Sequence, residues 1–303
     1  MKRIMVVLIV GLAVFCASPA LAQRDWSQVE LKVEPVRGNV YMINGTGGNI
    51  GVSVGEDGIL IVDDKFEPLA EKIRAALAEL GPGELKFILN THWHGDHTGA
   101  NPVFGPEAPI IAHTNVRRRL STEQRRGART TPPMDPKGWP VITFDQSVSV
   151  YFNGEEIKVI HFPHGHTDGD SVIFFTESNV VHMGDDFFAG RFPFVDLASG
   201  GSVKGLTRNI GRIIKKLPED VAVIPGHGPL STLDDLRAYH RMLVETTDHV
   251  RQQMLAGKSL AQIKAQGLPE EWADWGSGFI SAERWIETIW NSLLQARPHR
   301  RKR

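Results

Sequence analysis

The stretch that most constrains this chain is Thr91-His92-Trp93-His94-Gly95-Asp96-His97-Thr98-Gly99. It follows Phe87-Ile88-Leu89-Asn90, a short apolar run that reads as a buried strand, so the histidines sit on the loop leaving that strand. In extended backbone, residues two apart project to the same side, so His92 and His94 present two imidazoles to one point. Gly95 permits a sharp turn, after which Asp96 and His97 face a second point close to the first. Neutral imidazole nitrogen and carboxylate oxygen are the donors zinc takes when no thiolate is offered.

Thiolate ligation is excluded early. Cys16 is the only cysteine, and it lies in an N-terminal segment that runs Met1-Lys2-Arg3, an apolar stretch from Ile4 to Phe15, then Ala20-Leu21-Ala22 before Gln23. A basic start, a short apolar core and an Ala-x-Ala site predict a secretory signal peptide over residues 1–22, cleaved after Ala22. The apolar run is shorter than the roughly 20 residues a membrane span needs. Bulky Phe15 before Cys16 argues against a lipoprotein signal. The expected product is an exported, periplasmic protein with no disulfide and no stable membrane anchor, whose metal site uses only His and carboxylates. Without Lys2 and Arg3 the chain has 32 basic against 35 acidic residues, a net charge near −3 that gives no support for a nucleic-acid partner. The Arg-rich end, 297–303, reads as a solvated basic tail after one domain spanning 23–296.

Between these ends the pattern is α/β. Val33 to Val36, Val40 to Ile43, Ile50 to Val54 and Ile59 to Val62 predict successive antiparallel strands separated by Gly and Asn turns. Gly45-Thr46-Gly47-Gly48 joins two strands and opens no helix, so it reads as a flexible hairpin link and not a phosphate loop. A helix is expected from Pro68 to Leu80, with Leu69, Ile73, Ala76, Leu77 and Leu80 on one face and Gly81-Pro82 stopping it. Another strand is expected at Ile110 to His113. The Arg- and Pro-rich segment 114–140 then reads as a solvated surface excursion, with a lid that attracts anionic substrates as the alternative. Strands resume at Ser147 to Phe152, Ile157 to Phe162, Val172 to Phe175 and Val180 to His182, followed by a helix from Val203 to Leu217 and a strand at Val221 to Ile224. Strands plus helix thus occur twice in the same order, which predicts two ββαβ-type halves packed face to face. From about residue 231 the chain is helical, with Leu233, Leu236, Leu243, Val250 and Met254 on one long amphipathic helix and Trp285, Ile286, Ile289 and Trp290 on the last.

The second half also carries candidate ligands, each just past a strand: His164-Gly165-His166-Thr167, Gly184-Asp185-Asp186 and Pro225-Gly226-His227-Gly228. Together with the first loop, these motifs resemble the metallo-β-lactamase-fold superfamily. Its hallmarks are a His-x-His-x-Asp-His loop, a later Gly-His-Thr, a Gly-Asp after a strand and a Pro-Gly-His-Gly, all present in order across roughly residues 33–229. The resemblance implies a four-layer αββα sandwich with extra C-terminal helices. It further implies that His92, His94 and His166 hold one zinc, that Asp96, His97 and His227 hold the other, and that Asp185 joins the second site as a bridge. His166 is taken over His164 for the Gly-His-Thr match, and Asp185 over Asp186 because it follows Gly directly. Asp63 resembles the family's strand-end acid that steadies the ligand loop. His113, His161 and His182 occupy strand positions and read as packed residues.

By resemblance, the chemistry is that of two zinc ions, or another divalent pair, sharing a bridging hydroxide that attacks a carbonyl. Asp96 would orient it. Export makes a β-lactamase-like enzyme acting on a cyclic amide the first expectation, with Arg191 as a contact for a substrate carboxylate. The common exported β-lactamases of this fold place Cys where this chain has Asp185. A lactonase, esterase or thioesterase is therefore the alternative, and a metal-binding accessory protein the third.

Overall fold

The computed structural model describes residues 25–126 and 129–295, so the expected signal peptide (1–22) and basic tail (297–303) lie outside the described residues. The β-rich start folds as an antiparallel meander of β1 (Lys32–Arg37), β2 (Val40–Asn44), β3 (Ile50–Gly55) and β4 (Gly58–Val62). α1 (Ala70–Leu80) then crosses the sheet to β5 (Leu85–Leu89), parallel to β4. A helix is needed here because a tight hairpin cannot deliver a parallel neighbour. The short helices α2 (Gly95–Thr98) and α3 (Asn101–Phe104) lead to β6 (Ile110–His113), again parallel.

The segment expected as a solvated excursion has structure of its own. It forms α4 (Thr114–Leu120) and a hairpin of β7 (Gln124–Arg126) and β8 (Arg129–Thr131). Val116 and Leu120 are buried beneath it, against Trp93, Met134 and Trp139. The arginines masked this in the sequence, because they outnumber the two apolar residues that anchor the helix. β9 (Ile142–Phe144) closes a seven-stranded sheet in the order β1-β2-β3-β4-β5-β6-β9.

The second half repeats the plan. β10 (Ser147–Phe152), β11 (Glu155–His161), β12 (Ser171–Phe175) and β13 (Val180–His182) form a meander, α5 (Val203–Ile214) crosses over, and β14 (Ala222–Ile224) returns parallel to β13. The two-residue β15 (Ser231–Thr232) completes a six-stranded sheet. Thr232 and Asp235 then form a reciprocal capping box that starts α6 (Leu233–Leu255). Two further helices follow, α7 (Leu260–Gln266) and α8 (Ala282–Gln295). Apolar periodicity does not predict α7, which buries only Ile263 and shows no long apolar stripe, although Ser259 and Gln262 cap it.

Burial fixes the layering. Alternation along β4 sends Leu60 and Val62 inward to meet Val159, Ile173 and Phe175 of the other sheet. Ile59 and Ile61 point the opposite way, onto Ile73 and Leu77 of α1. Leu206 and Ile210 of α5, Leu236 and Leu243 of α6, and Trp285 and Ile289 of α8 cover the outer face of the second sheet. The result is helix, sheet, sheet, helix, the expected four-layer sandwich, and every candidate ligand loop follows a strand.

Candidate metal centre

Loops after β5, β11, β13 and β14 converge on one place. His92, His94, His166 and Asp185 bring donor atoms within 4.8 Å of one another, and Asp96, His97 and His227 do the same beside them. Nδ1 of His94 lies 3.1 Å from His92 Nε2 and 2.8 Å from His166 Nε2. Asp185 stands between the groups. Its Oδ2 is 3.7 Å from His92 Nε2 and 3.4 Å from His166 Nε2, while Oδ1 is 3.0 Å from His97 Nε2 and 3.2 Å from His227 Nε2. Asp96 Oδ2 lies 3.4 Å from His227 Nε2.

These separations fit a metal better than a web of hydrogen bonds. Donors about 2.0–2.1 Å from a tetrahedral ion are roughly 3.3 Å apart, which is the spacing seen. Asp185 Oδ1 is buried and makes no hydrogen bond of acceptable angle, although two imidazole nitrogens lie within 3.2 Å. Close approach with poor alignment means that the lone pairs aim at a shared centre instead of at each other. The donor set fits divalent metal.

The far nitrogen of four imidazoles is tied down, which fixes ring orientation and tautomer. Thr91 Oγ1 donates to Asp63 Oδ2 at 2.7 Å, so its oxygen accepts from His92 Nδ1 at 3.0 Å and leaves Nε2 with a lone pair. His97 Nδ1 donates to the same Asp63 oxygen at 2.7 Å, and Asp63 Oδ1 accepts the Thr91 amide at 2.8 Å. His166 Nδ1 donates to the Phe194 carbonyl at 2.7 Å. His94 is reversed: its Nε2 donates to Asp196 Oδ2 at 3.0 Å, freeing Nδ1. His227 is held differently, stacked on Phe188 with ring centroids 4.9 Å apart.

Charge divides the cluster. Burial pushes His92 well below the usual imidazole range, and it takes His166 down to about 4 against the pull of Asp185. Burial also opposes charge on His97, yet Asp185, Asp63 and Asp96 outweigh it and hold that ring well above its ordinary value. His227, likewise desolvated, is raised to about 9 by Asp185 and Asp96. Asp96 is brought down to about 2, with His97 and His227 overcoming its desolvation. Asp185 stays ionised in spite of burial because four imidazoles surround it.

Several residues around the site have roles that only their contacts reveal. Asp196 reaches His94 from a loop 102 positions away, and nothing local marks it as a partner. The Gly45–Gly48 link is the expected hairpin connection, between β2 and β3, and it also lies as a strap over the second cluster. Gly48 donates its amide to the Asp96 carbonyl at 3.0 Å, and any Cβ there would collide with the His97 ring. A Cβ at Gly226 would similarly run into Asp185 Oδ1, so the Pro-Gly-His turn needs its glycine to let His227 approach. Asp186 stands behind the ligands. It accepts the His166 amide at 3.2 Å, and burial beside Asp170 raises both carboxyls, Asp170 to about 6, as expected for a pair sharing a proton.

Other histidines are accounted for elsewhere. His164 is bonded to the Gly200 carbonyl at 3.0 Å, away from the cluster. His113 and His161 stack at 3.7 Å, and His182 donates to the Asn49 carbonyl at 3.1 Å. Arg191 lays its stem against Gly278 and bonds Ala189 at 3.4 Å, so its contacts among the described residues are with the rim of the site and not with the ligands.

A sequence profile of the metallo-beta-lactamase superfamily matches residues 33–227, from β1 to the last histidine of the cluster. The chain belongs to the metallo-beta-lactamase superfamily. Among curated relatives, the α subunit of 2,4-dinitroanisole O-demethylase from Nocardioides sp. is 29% identical over 174 residues, which cover 55% of this chain and 49% of that protein. The chain therefore spans about half the length of that subunit. A hydroxyacylglutathione hydrolase from Polaromonas sp. is 28% identical over 195 residues, 61% of this chain and 67% of the relative. In solved structures, the fold is similar to DIM-1 metallo-beta-lactamase, with a TM-score of 0.59, 20% identity and coverage of 71% and 98% of the two chains. The stereoselective inverting sec-alkylsulfatase Pisa1 from Pseudomonas sp. aligns with a TM-score of 0.64 and 15% identity, over 88% of this chain and 51% of that one. The superfamily is one of metallo-hydrolases, and the His/Asp cluster is its metal-binding centre in this member.

Proposed function

We propose that the chain is a binuclear zinc hydrolase that cleaves an ester, thioester or lactone carbonyl. The observation that carries this reading is Asp185, a buried carboxylate offering one oxygen to each histidine group. His92, His94 and His166 would hold one ion, Asp96, His97 and His227 the other, and Asp185 would join them. When bound, such a pair supplies Lewis acidity and a water acidified toward neutral pH. The protein groups do the rest. Asp96, ionised and 28% exposed at the mouth, accepts a hydrogen bond from the attacking water and so aims its oxygen at the carbonyl carbon. The bond to the leaving oxygen or sulfur then breaks, and the proton surrendered by the water goes to that atom. Asp63 and Asp196 keep the rings fixed throughout.

An all-oxygen-and-nitrogen donor set with a bridging carboxylate is harder than one containing thiolate. The similarity to a hydroxyacylglutathione hydrolase, a name that denotes release of an acyl group from glutathione, supports acyl transfer to water as the reaction. Cyclic amide hydrolysis is the second reading. It is favoured by Arg191, which is partly exposed on the segment that follows Asp185 and is bonded to the Ala189 carbonyl, from where it can meet a substrate carboxylate. The leading sequence supports export to the periplasm, to be checked by N-terminal sequencing of the secreted protein for a start at Gln23.

Zinc-loaded protein assayed against acyl lactones, thioesters and nitrocefin decides among these. Chelator-sensitive turnover of lactones or thioesters without nitrocefin turnover is the expected result. Nitrocefin turnover of equal efficiency moves the reading to cyclic amides, and inactivity across the panel with both metals bound overturns hydrolysis.

A further inference from the structure

A cavity of the molecule lies away from the metal centre. It is a groove of about 950 Å³ on the outer helical layer, lined by α5, α6 and the end of α8. Lys204, Arg208 and Arg212 of α5 and Lys215, which caps it, follow one another at helical spacing, all exposed, all on the groove. None of the four has an ion-pair partner among the described residues; Arg208 donates only to the Pro163 carbonyl at 3.3 Å and to Asn209 at 3.4 Å. The one acidic residue in the lining, Asp248, is taken up by Arg251.

Four unopposed cations in a row repel one another and gain nothing from the fold. They stand out because the whole chain is slightly acidic, with 34 basic and 35 acidic residues. The facing helix adds an apolar component. Val244 of α6 lines the groove at 44% exposure, and Leu255, one turn beyond Arg251 on the same stripe, is 69% exposed. Leu293 of α8 also lines it, and Leu294 beside it is 42% exposed. Two residues beyond Leu293 the described part of α8 ends, and the sequence goes on to Arg297, Arg300, Arg301, Lys302 and Arg303.

We propose that this face docks on an anionic phospholipid surface, with the α5 cations meeting headgroup phosphates and Val244, Leu255 and Leu294 entering the headgroup–acyl boundary. Clusters of four to eight basic residues beside apolar side chains have the chemistry for that contact. A nucleic acid would satisfy the cations but offer nothing to the exposed leucines, so the lipid is the occupant the face fits. The contact is peripheral, since no helix among the described residues is long and apolar enough to cross a membrane. No groove residue belongs to the ligand set, so hydrolysis can continue on the bound protein.

The test is co-sedimentation of the full chain with vesicles of phosphatidylcholine alone or with about 30% phosphatidylglycerol, at about 0.1 M salt. The expected result is binding to the anionic vesicles only. A variant combining Lys204→Gln, Arg208→Gln, Arg212→Gln and Lys215→Gln should lose at least about tenfold in partition while keeping its helical content, metal content and basal hydrolysis. Leu255→Ser should weaken vesicle binding further at high salt. Equal binding to neutral vesicles, unchanged binding by the fourfold variant, or binding of a nucleic-acid duplex in place of vesicles each overturns the proposal.

Discussion

His92 and His166 are 1% and 0% exposed, while Asp96 and His227 keep 28% and 22% of their side-chain surface. The two ligand groups are thus made of similar residues in different surroundings. In the first, burial keeps His92 and His166 neutral, and the partners Thr91, Asp196 and Phe194 leave each donor lone pair aimed inward. In the second, Asp185, Asp63 and Asp96 hold His97 well above its ordinary value, Asp185 and Asp96 raise His227 to about 9, and Asp96 and His227 reach solvent while His97 stays buried. The lesson is that preorganisation is uneven. The first group has its His92 and His166 rings sealed from solvent, whereas the second keeps Asp96 and His227 partly open to it.

Asp185→Ala attacks the feature both groups share, so it should erase the difference altogether. Zinc content by elemental analysis is expected to fall from about two per chain to below one, and activity by more than about 100-fold. His227→Ala should instead expose the asymmetry, removing one equivalent from the second group and leaving the first occupied. Loss of both ions from that variant would show that the groups are not separable.

Smaller effects come from the supporting carboxylates. Asp196→Ala is expected to weaken only the first site, and Asp63→Asn mainly the second through His97, each by roughly 10–100-fold in metal affinity. Titration calorimetry that found the same site weakened by both would contradict the division of labour proposed here.

A last effect is on stability and not on metal binding, and it concerns the protein between the two halves. His182, fully buried, donates Nε2–H to Asn49 of the first half and accepts the Gly184 amide on Nδ1 at 3.2 Å, so its neutral form is fully bonded. Burial lowers it to about 4, against about 6.5 unfolded. The unfolded chain therefore binds the extra proton first as pH falls, and stability present above about pH 6.5 is lost on the way to pH 4. The contribution is about 3 kcal/mol, to be read from denaturant midpoints across that range, and His182→Gln should flatten the slope.

Much of the architecture was readable in the chain because its signals are local. The short β-rich runs of β2 to β4, the cap at Thr232 and the stripe on α6 each lie within a few residues, and hydrophobic burial acts on them directly. The ligand motifs were legible for the same reason, since each is a short sequence at a strand end. α4 and α7 were not, because each buries too few apolar residues to register as periodic.

What the sequence determined by itself was therefore most of the elements, the lack of cysteine among the described residues, and the choice of His166 over His164 as a candidate. Only the tertiary structure decided that Asp185 lies between both groups, that Asp196 orients His94, that Gly48 must lack a side chain, and that four cations of α5 share a groove with α6 and α8. The physical reason is range. Propensity and periodicity act between neighbours along the chain, whereas a hydrogen bond between residues 102 apart exists only after two sheets have packed.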